Sequence, residues 1–130
     1  MHEGATGVRF FDLDSAEPLT PVPGIHMRGV FGAGASFSLV SLEPDAELPL
    51  HSHPHEQIGI VLEGVEVLVL DGREHHVGPR QAYVIPGGVE HAGRGGPEGC
   101  LAIDIFVPTR EDYRASAAPE LPASSLQRSG

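Results

Sequence analysis

HSHPHEQIGIVLEG, residues 51–64, opens with imidazoles at every second position and runs into a β-branched segment closed by a glycine. In an extended chain alternate side chains share a face, so His51, His53 and Gln57 point into one space. Divalent metals need several N or O donors converging at about 2.0–2.3 Å, and imidazoles at i and i+2 on a strand supply two of them without distortion. A further donor has to come from elsewhere in the fold. His91 is the candidate, because Pro86-Gly87-Gly88-Val89-Glu90-His91 places it just past a strand at a glycine turn. His55 has the parity of the ligand set, but Pro54 can bulge the chain and turn the ring away. His2, His26, His75 and His76 have no such spacing and read as non-ligands, the last two on the exposed edge of a hairpin.

Outward from this stretch the chain reads as short strands and tight turns. IHMRGVF (25–31) and SFSLVSL (36–42) are two strands separated by GAGA, and EPDAELPL (43–50) turns at Pro44-Asp45. IGIVLEGVEVLVL (58–70) reads as two strands broken at Glu63-Gly64. Asp71-Gly72, between VLVL and REHHV, is a hairpin signal because both turn residues must tolerate positive φ. AYVIP is a further strand, GRGGPEG (93–99) a loop, and CLAIDIFV (100–107) the last strand. Strands every 8–12 residues with turns between them predict an all-β sandwich or barrel. PLTPVPG (18–24) cannot be a central strand, since proline removes ladder donors. The expected organisation is one domain: an N-terminal strand or arm over 1–24, a barrel over 25–113, and a loose Ala/Pro/Ser-rich tail over 114–130. A short helical turn is open near REDYR.

With 130 residues, 40% of them apolar, the chain can bury one core. Seventeen Gly and twelve Pro suit a turn-rich all-β fold. Eight Arg, no Lys and eighteen acids give a formal charge of −10, which repels a phosphate backbone and disfavours nucleic acid as a partner. An anionic small substrate would need a local Arg or a metal. Cys100 is the single cysteine, so nothing requires an oxidising compartment. MHEGATGVRF lacks an apolar run behind a basic start, and no stretch approaches the roughly 20 apolar residues of a membrane span. The expectation is a soluble, cytoplasmic protein without a membrane partner. Exposed strands such as IHMRGVF favour a homodimer that covers their edges.

Read as H-x-H-x3-Q-x6-G, residues 51–64 resemble the first motif of the cupin superfamily, and Pro86 to His91, P-x-G-x2-H, resemble the second. Motifs and intervening strands cover residues 37–107. The resemblance implies a single-domain all-β cupin, a double-stranded β-helix or jelly-roll barrel, holding one divalent metal ion through His51, His53, Gln57 and His91. Such a donor set suits Zn(II), Ni(II), Mn(II) or Fe(II). Gln57 stands where the first motif usually has Glu. Its neutral amide leaves the ion one more net positive charge, hence a stronger Lewis acid, and removes a carboxylate that could shuttle protons. Arg80 stands where the second motif often has Gly.

A second polar set lies in CLAIDIFVPTRED, where Asp104 and Phe106 share a strand face opposite Ile103 and Ile105. A buried carboxylate costs several kcal/mol unless it is paired or hydrogen-bonded. Two readings stay open: an Asp104–Arg110 pair that fixes the strand end, or Asp104 as an acid or base facing the cavity with Arg110 as an anion clamp. Together with the first motif, D-x-F-x3-R resembles the KdgF-like cupins, which linearise 4,5-unsaturated monouronates in pectin and alginate breakdown. That resemblance implies that Asp104, Phe106 and Arg110 face the pocket beside the metal. The expected function is a metal-dependent, non-redox isomerase, cyclase or lyase acting on a small oxygenated substrate such as a carboxylate. Small cupins of aromatic polyketide pathways are similar too, and in a cyclase Val61 and Tyr83 would line a wider cavity. An Fe(II)-dependent dioxygenase and a non-enzymatic small-molecule binding module complete the alternatives. A regulator of that last kind would take its DNA-binding part from a partner chain.

Overall fold

Burial alternates strictly along IHMRGVF and SFSLVSL: Ile25, Met27 and Phe31, then Ser36, Ser38, Val40 and Leu42, turn inward while their neighbours do not. In a computed structural model describing residues 7–122, these are strands β3 (Ile25–Phe31) and β4 (Ser36–Leu42). Before them come β1 (Phe10–Phe11), a 3₁₀ turn (Leu13–Ser15) and β2 (Leu19–Val22). After them come β5 (Glu47–His51), β6 (Glu56–Leu70), β7 (Arg73–Val77), β8 (Ala82–Ile85) and β9 (His91–Val107). A 3₁₀ helix (Glu111–Ser116) and β10 (Glu120–Leu121) complete the order. His2 lies outside the described residues.

Two long antiparallel strands, β6 and β9, organise the molecule. The C-terminal half of β9 pairs with β4 and with the start of β6, whose Gln57–Ile60 also pair with β8. Past register shifts at Val61/Glu63 and Gly64/Glu66, the end of β6 pairs with the start of β9, flanked by β5 and β7. Each long strand thus crosses from one sheet to the other, giving a double-stranded β-helix, the all-β jelly-roll barrel expected. Ile25, Met27, Val40, Leu42, Val61 and Leu68 form its core. The Asp71-Gly72 hairpin is formed with φ of 50° and 75°, as a two-residue turn between twisted strands requires.

Four expectations need correction. Glu63-Gly64 is a bulge inside one continuous strand, not a break. GRGGPEG is not a loop but the middle of β9, where Gly95 and Gly96 let the backbone pass close to Glu43 and Val65 as it bends. IHMRGVF has no open edge, because β2 and β4 pair with it on either side, and β2 takes the edge position that its prolines demand. The segment from residue 114 to 122 is not loose. Ser116 is fully buried, Ala117 bridges to Gly29, and Leu121 pairs with Phe10, so arm and tail close on each other. Residues 123–130 of that tail lie outside the described residues. Among the described residues no helix is long and apolar enough to cross a membrane.

Candidate metal centre

The register of β5 on β9 sets His51 directly opposite His91. The chain from His51 to Gln57 then crosses the end of the barrel and lays its turn against the second motif. Gly88 donates its N–H to the His53 carbonyl at 2.8 Å. Gly87 has to be glycine, because a Cβ there would collide with the Pro54 carbonyl. The two motifs therefore meet backbone to backbone, and this contact orients the imidazoles.

Each ring is fixed by the same device. The Nδ1 of His51 bonds the Pro49 carbonyl at 2.8 Å, that of His53 the His55 carbonyl at 3.0 Å, and that of His91 the Val89 carbonyl at 2.9 Å. A carbonyl only accepts, so every Nδ1 carries the hydrogen and every Nε2 presents a lone pair. The ligand nitrogens of His51, His53 and His91 lie within 4.8 Å of one another, close enough to serve one ion. Burial pushes His53 below the ordinary histidine range, with the charge of Arg110 adding to it, and burial does the same to His91. Both are neutral donors near pH 7.

Two observations fit a cation. His91 Nε2 is buried with no hydrogen-bond partner. His53 Nε2 lies 3.1 Å from Gln57 Oε1, although both atoms are acceptors: the amide of Gln57 turns its N–H toward the Asp104 carboxylate, leaving its oxygen toward the imidazole. Facing lone pairs at that distance repel unless a positive centre lies between them. His55 is not in the group. Its ring stands against His53 and Phe106, its carbonyl holds His53, and its Nδ1 is buried without a partner.

His51 and His91 line a cavity that runs into the barrel. Asp104, Phe106 and Arg110 all line it, as do Gln57, Glu66 and Tyr83. Asp104 and Arg110 do not form the ion pair that one reading of the sequence expects. Arg110 is 6% exposed and directs Nε and Nη2 at Asp112, at 3.0 and 2.7 Å, while its guanidinium stacks on Tyr113 and Phe106 at 3.8 and 4.7 Å from the ring centres. Asp104 bonds Tyr83 instead: the hydroxyl lies 3.3 Å from Asp104 Oδ1 and 3.0 Å from Glu66 Oε1. Burial, reinforced by the neighbouring charge of Asp104, pushes Glu66 up to about 8. Burial also pushes Asp104 up to about 6, against the hydrogen bonds from Gln57 and Tyr83. Tyr83 is driven well above the ordinary phenol range, by burial first and then by the two carboxylates. Val61, read as a lining residue for a cyclase, is fully buried in the core instead.

Sequence reasoning missed Glu66, Asp112 and Tyr113. Glu66 carries a legible signal, since it shares parity with the inward-facing Leu68 in VEVLVL and so puts an acid among core positions. Asp112 and Tyr113 carry none, because a 3₁₀ helix has too few residues for periodicity to show.

The pattern defining the family described as "Cupin domain" (Cupin_2) matches residues 38–106, and the chain belongs to that family. Among solved structures it is similar to KdgF from Halomonas sp., at 28% identity and a TM-score of 0.72, over 79% of this chain and 97% of that one. An RmlC-like cupin from Shewanella frigidimarina matches at 26% identity and a TM-score of 0.73, over 80% and 94% of the two chains. Among curated proteins, the HTH-type transcriptional regulator PuuR of Escherichia coli is 38% identical over 58 residues. That match takes in 44% of this chain and 31% of the regulator, so the chain spans about a third of that relative's length.

Proposed function

We propose that this cupin is a metal-dependent, non-redox enzyme for a small oxygenated substrate, and most concretely that it linearises 4,5-unsaturated uronates. The observation that carries the proposal is the Gln57 amide, which links an acceptor-only group of imidazoles on one side to the Asp104 carboxylate on the other. His51, His53, Gln57 and His91 would hold the ion. A divalent ion bound there supplies a Lewis acid for a substrate oxygen.

The chain's own residues do the rest. Arg110 has Nε and Nη2 committed to Asp112, so it offers its remaining N–H groups to the substrate carboxylate. Phe106 walls the sugar ring. Asp104 moves a proton between the ring hydroxyl and the enol-ether carbon. As the ring C–O bond breaks, the hydroxyl carbon becomes an aldehyde and the enol becomes a ketone, an isomerisation with no change of oxidation state overall. Tyr83 holds Asp104 in place. Similarity to KdgF supports this substrate class. The carboxylates of Asp104 and Glu66 and the guanidinium of Arg110 in the cavity wall suit a hydroxylated carboxylate better than an apolar planar polyketide. A reducing cytoplasm suits the lone buried Cys100, whose thiol burial pushes up to about 12.

The test is a 4,5-unsaturated galacturonate incubated with metal-reconstituted protein. Loss of its conjugated ultraviolet absorbance should outpace the spontaneous reaction, and the acceleration should vanish on chelation and in His51→Ala. No acceleration by protein shown to hold its metal would sink the proposal. The partial match to a transcriptional regulator favours one second reading, a ligand-sensing module. Tight substrate binding without turnover would select it.

A further inference from the structure

From the imidazoles into the barrel, Gln57, Asp104, Tyr83 and Glu66 form a line of hydrogen bonds. The Gln57 amide donates to the Asp104 carboxylate. Tyr83, on β8, places its hydroxyl oxygen 3.3 Å from Asp104 Oδ1 and 3.0 Å from Glu66 Oε1. A phenol has one hydrogen, so it donates to one of these two carboxyl groups and not to both. Were both ionised, the second would face the phenol oxygen lone pair to lone pair, a costly arrangement for buried groups. The line closes when one carboxyl keeps its proton and donates it to Tyr83. Two features pick Glu66 for that part. Asp104 already receives the Gln57 N–H, which favours its charged form. Glu66 is buried, at 8% exposed, and lies beside the charge of Asp104.

We infer that Glu66 serves this site as a neutral acid that positions Asp104: it donates to the Tyr83 oxygen and so commits the phenol hydrogen to Asp104. That role rests on the proposed reaction, in which Asp104 carries the proton. Gly59 helps to fix the line, since the Tyr83 ring occupies the space that a Cβ at residue 59 would need. When Glu66 ionises, its carboxylate competes for the one phenol hydrogen, and Asp104 loses a bond that holds its orientation. This happens as pH rises through the raised pKa of Glu66, about 8. The other titratable groups facing Glu66 are Tyr83 on β8 and Asp104 and Cys100 on β9. Burial keeps the phenol and the thiol neutral at that pH. Strand β7 sets the apolar Val77 opposite Glu66, and β3 and β4 bring Met27 and Val40 into the same cavity, which His51, His91 and Arg110 also line.

The first test needs no substrate. The infrared spectrum of metal-loaded protein near pH 7 should contain the carbonyl band of a buried protonated carboxyl. The band should vanish in Glu66→Gln, persist in Asp104→Asn, and fade in the wild type as pH passes about 8. That fading tests the charge state by itself should a variant lose its fold. With uronate as substrate, wild-type kcat should decline above the same pH. Glu66→Gln, whose amide donates to Tyr83 but cannot ionise, should carry its plateau beyond it. A wild type without the band, a band lost in Asp104→Asn but kept in Glu66→Gln, or an alkaline decline of kcat unmoved in Glu66→Gln would overturn the inference. An intact band without turnover would count against the uronate reaction and leave the proton on Glu66.

Discussion

Asp104 accepts bonds from Tyr83 and Gln57 within a largely apolar barrel, so its proton is held by neighbours rather than by water. Replacing it by Asn keeps the size and one acceptor oxygen for Tyr83 and removes the acid–base function. Asp104→Asn should lower kcat by about 10²–10⁴-fold with metal still bound; turnover within a few fold of wild type would exclude it as the proton carrier. Glu66 makes a different prediction. Its pKa rises from 4.5 to about 8 on folding, so the native state keeps a proton that the unfolded chain releases. Stability from this group is complete below about pH 4.5, declines as pH rises toward 8, and is flat above. In metal-free protein, Glu66→Gln should flatten thermal stability between pH 5 and 8 and raise it most at the alkaline end; an unaltered pH profile would refute the shift. Gly59 guards the same cluster, since a Cβ there would strike the Tyr83 ring. Gly59→Ala should cost about 1–3 kcal/mol by overpacking, read as a fall in the denaturant midpoint.

At the level of elements, strand β8 is entered through Arg80, which adopts φ of 66° where the family's second motif often has glycine. A left-handed non-glycine residue is strained, so Arg80→Gly should stabilise the fold by about 1 kcal/mol, measured as an upward shift of the midpoint. Here the sequence showed an oddity and the backbone explains it. The hairpin at Asp71-Gly72 and the edge placement of PLTPVPG were legible, because each follows from local geometry; His51, His53 and Gln57 lie together not through strand parity but because the chain turns between β5 and β6. The continuity of β6 and β9 was not. Glycine at a bulge and glycine at a turn look alike in sequence, and pairing to a distant strand decides which forms. The packing of Ser116 and Ala118 was equally hidden, since small residues are buried by fit and leave no hydrophobic period. Arg110 was legible as a site residue, but its partner was not, because Asp112 lies two residues on in a helix that has no pattern to read.

Across the whole molecule, the barrel turns two distant motifs into one site. His51 and His91 become neighbours only because β5 pairs with β9, and their Nε2 atoms converge only because backbone carbonyls hold the opposite nitrogens. An ion bound to this preformed group stabilises the folded state, by about 4 kcal/mol at a thousandfold excess over Kd. Chelation should therefore lower Tm reversibly, and a melting curve indifferent to metal would contradict the link. The most direct test of the central claim is a titration of metal-free protein with Co(II) or Zn(II), scored for stoichiometry and affinity in the wild type and in His91→Ala. One ion per chain, with affinity lost by at least 100-fold in the variant, is the predicted result. Absence of stoichiometric binding in the wild type, or unchanged affinity in His91→Ala, would contradict it.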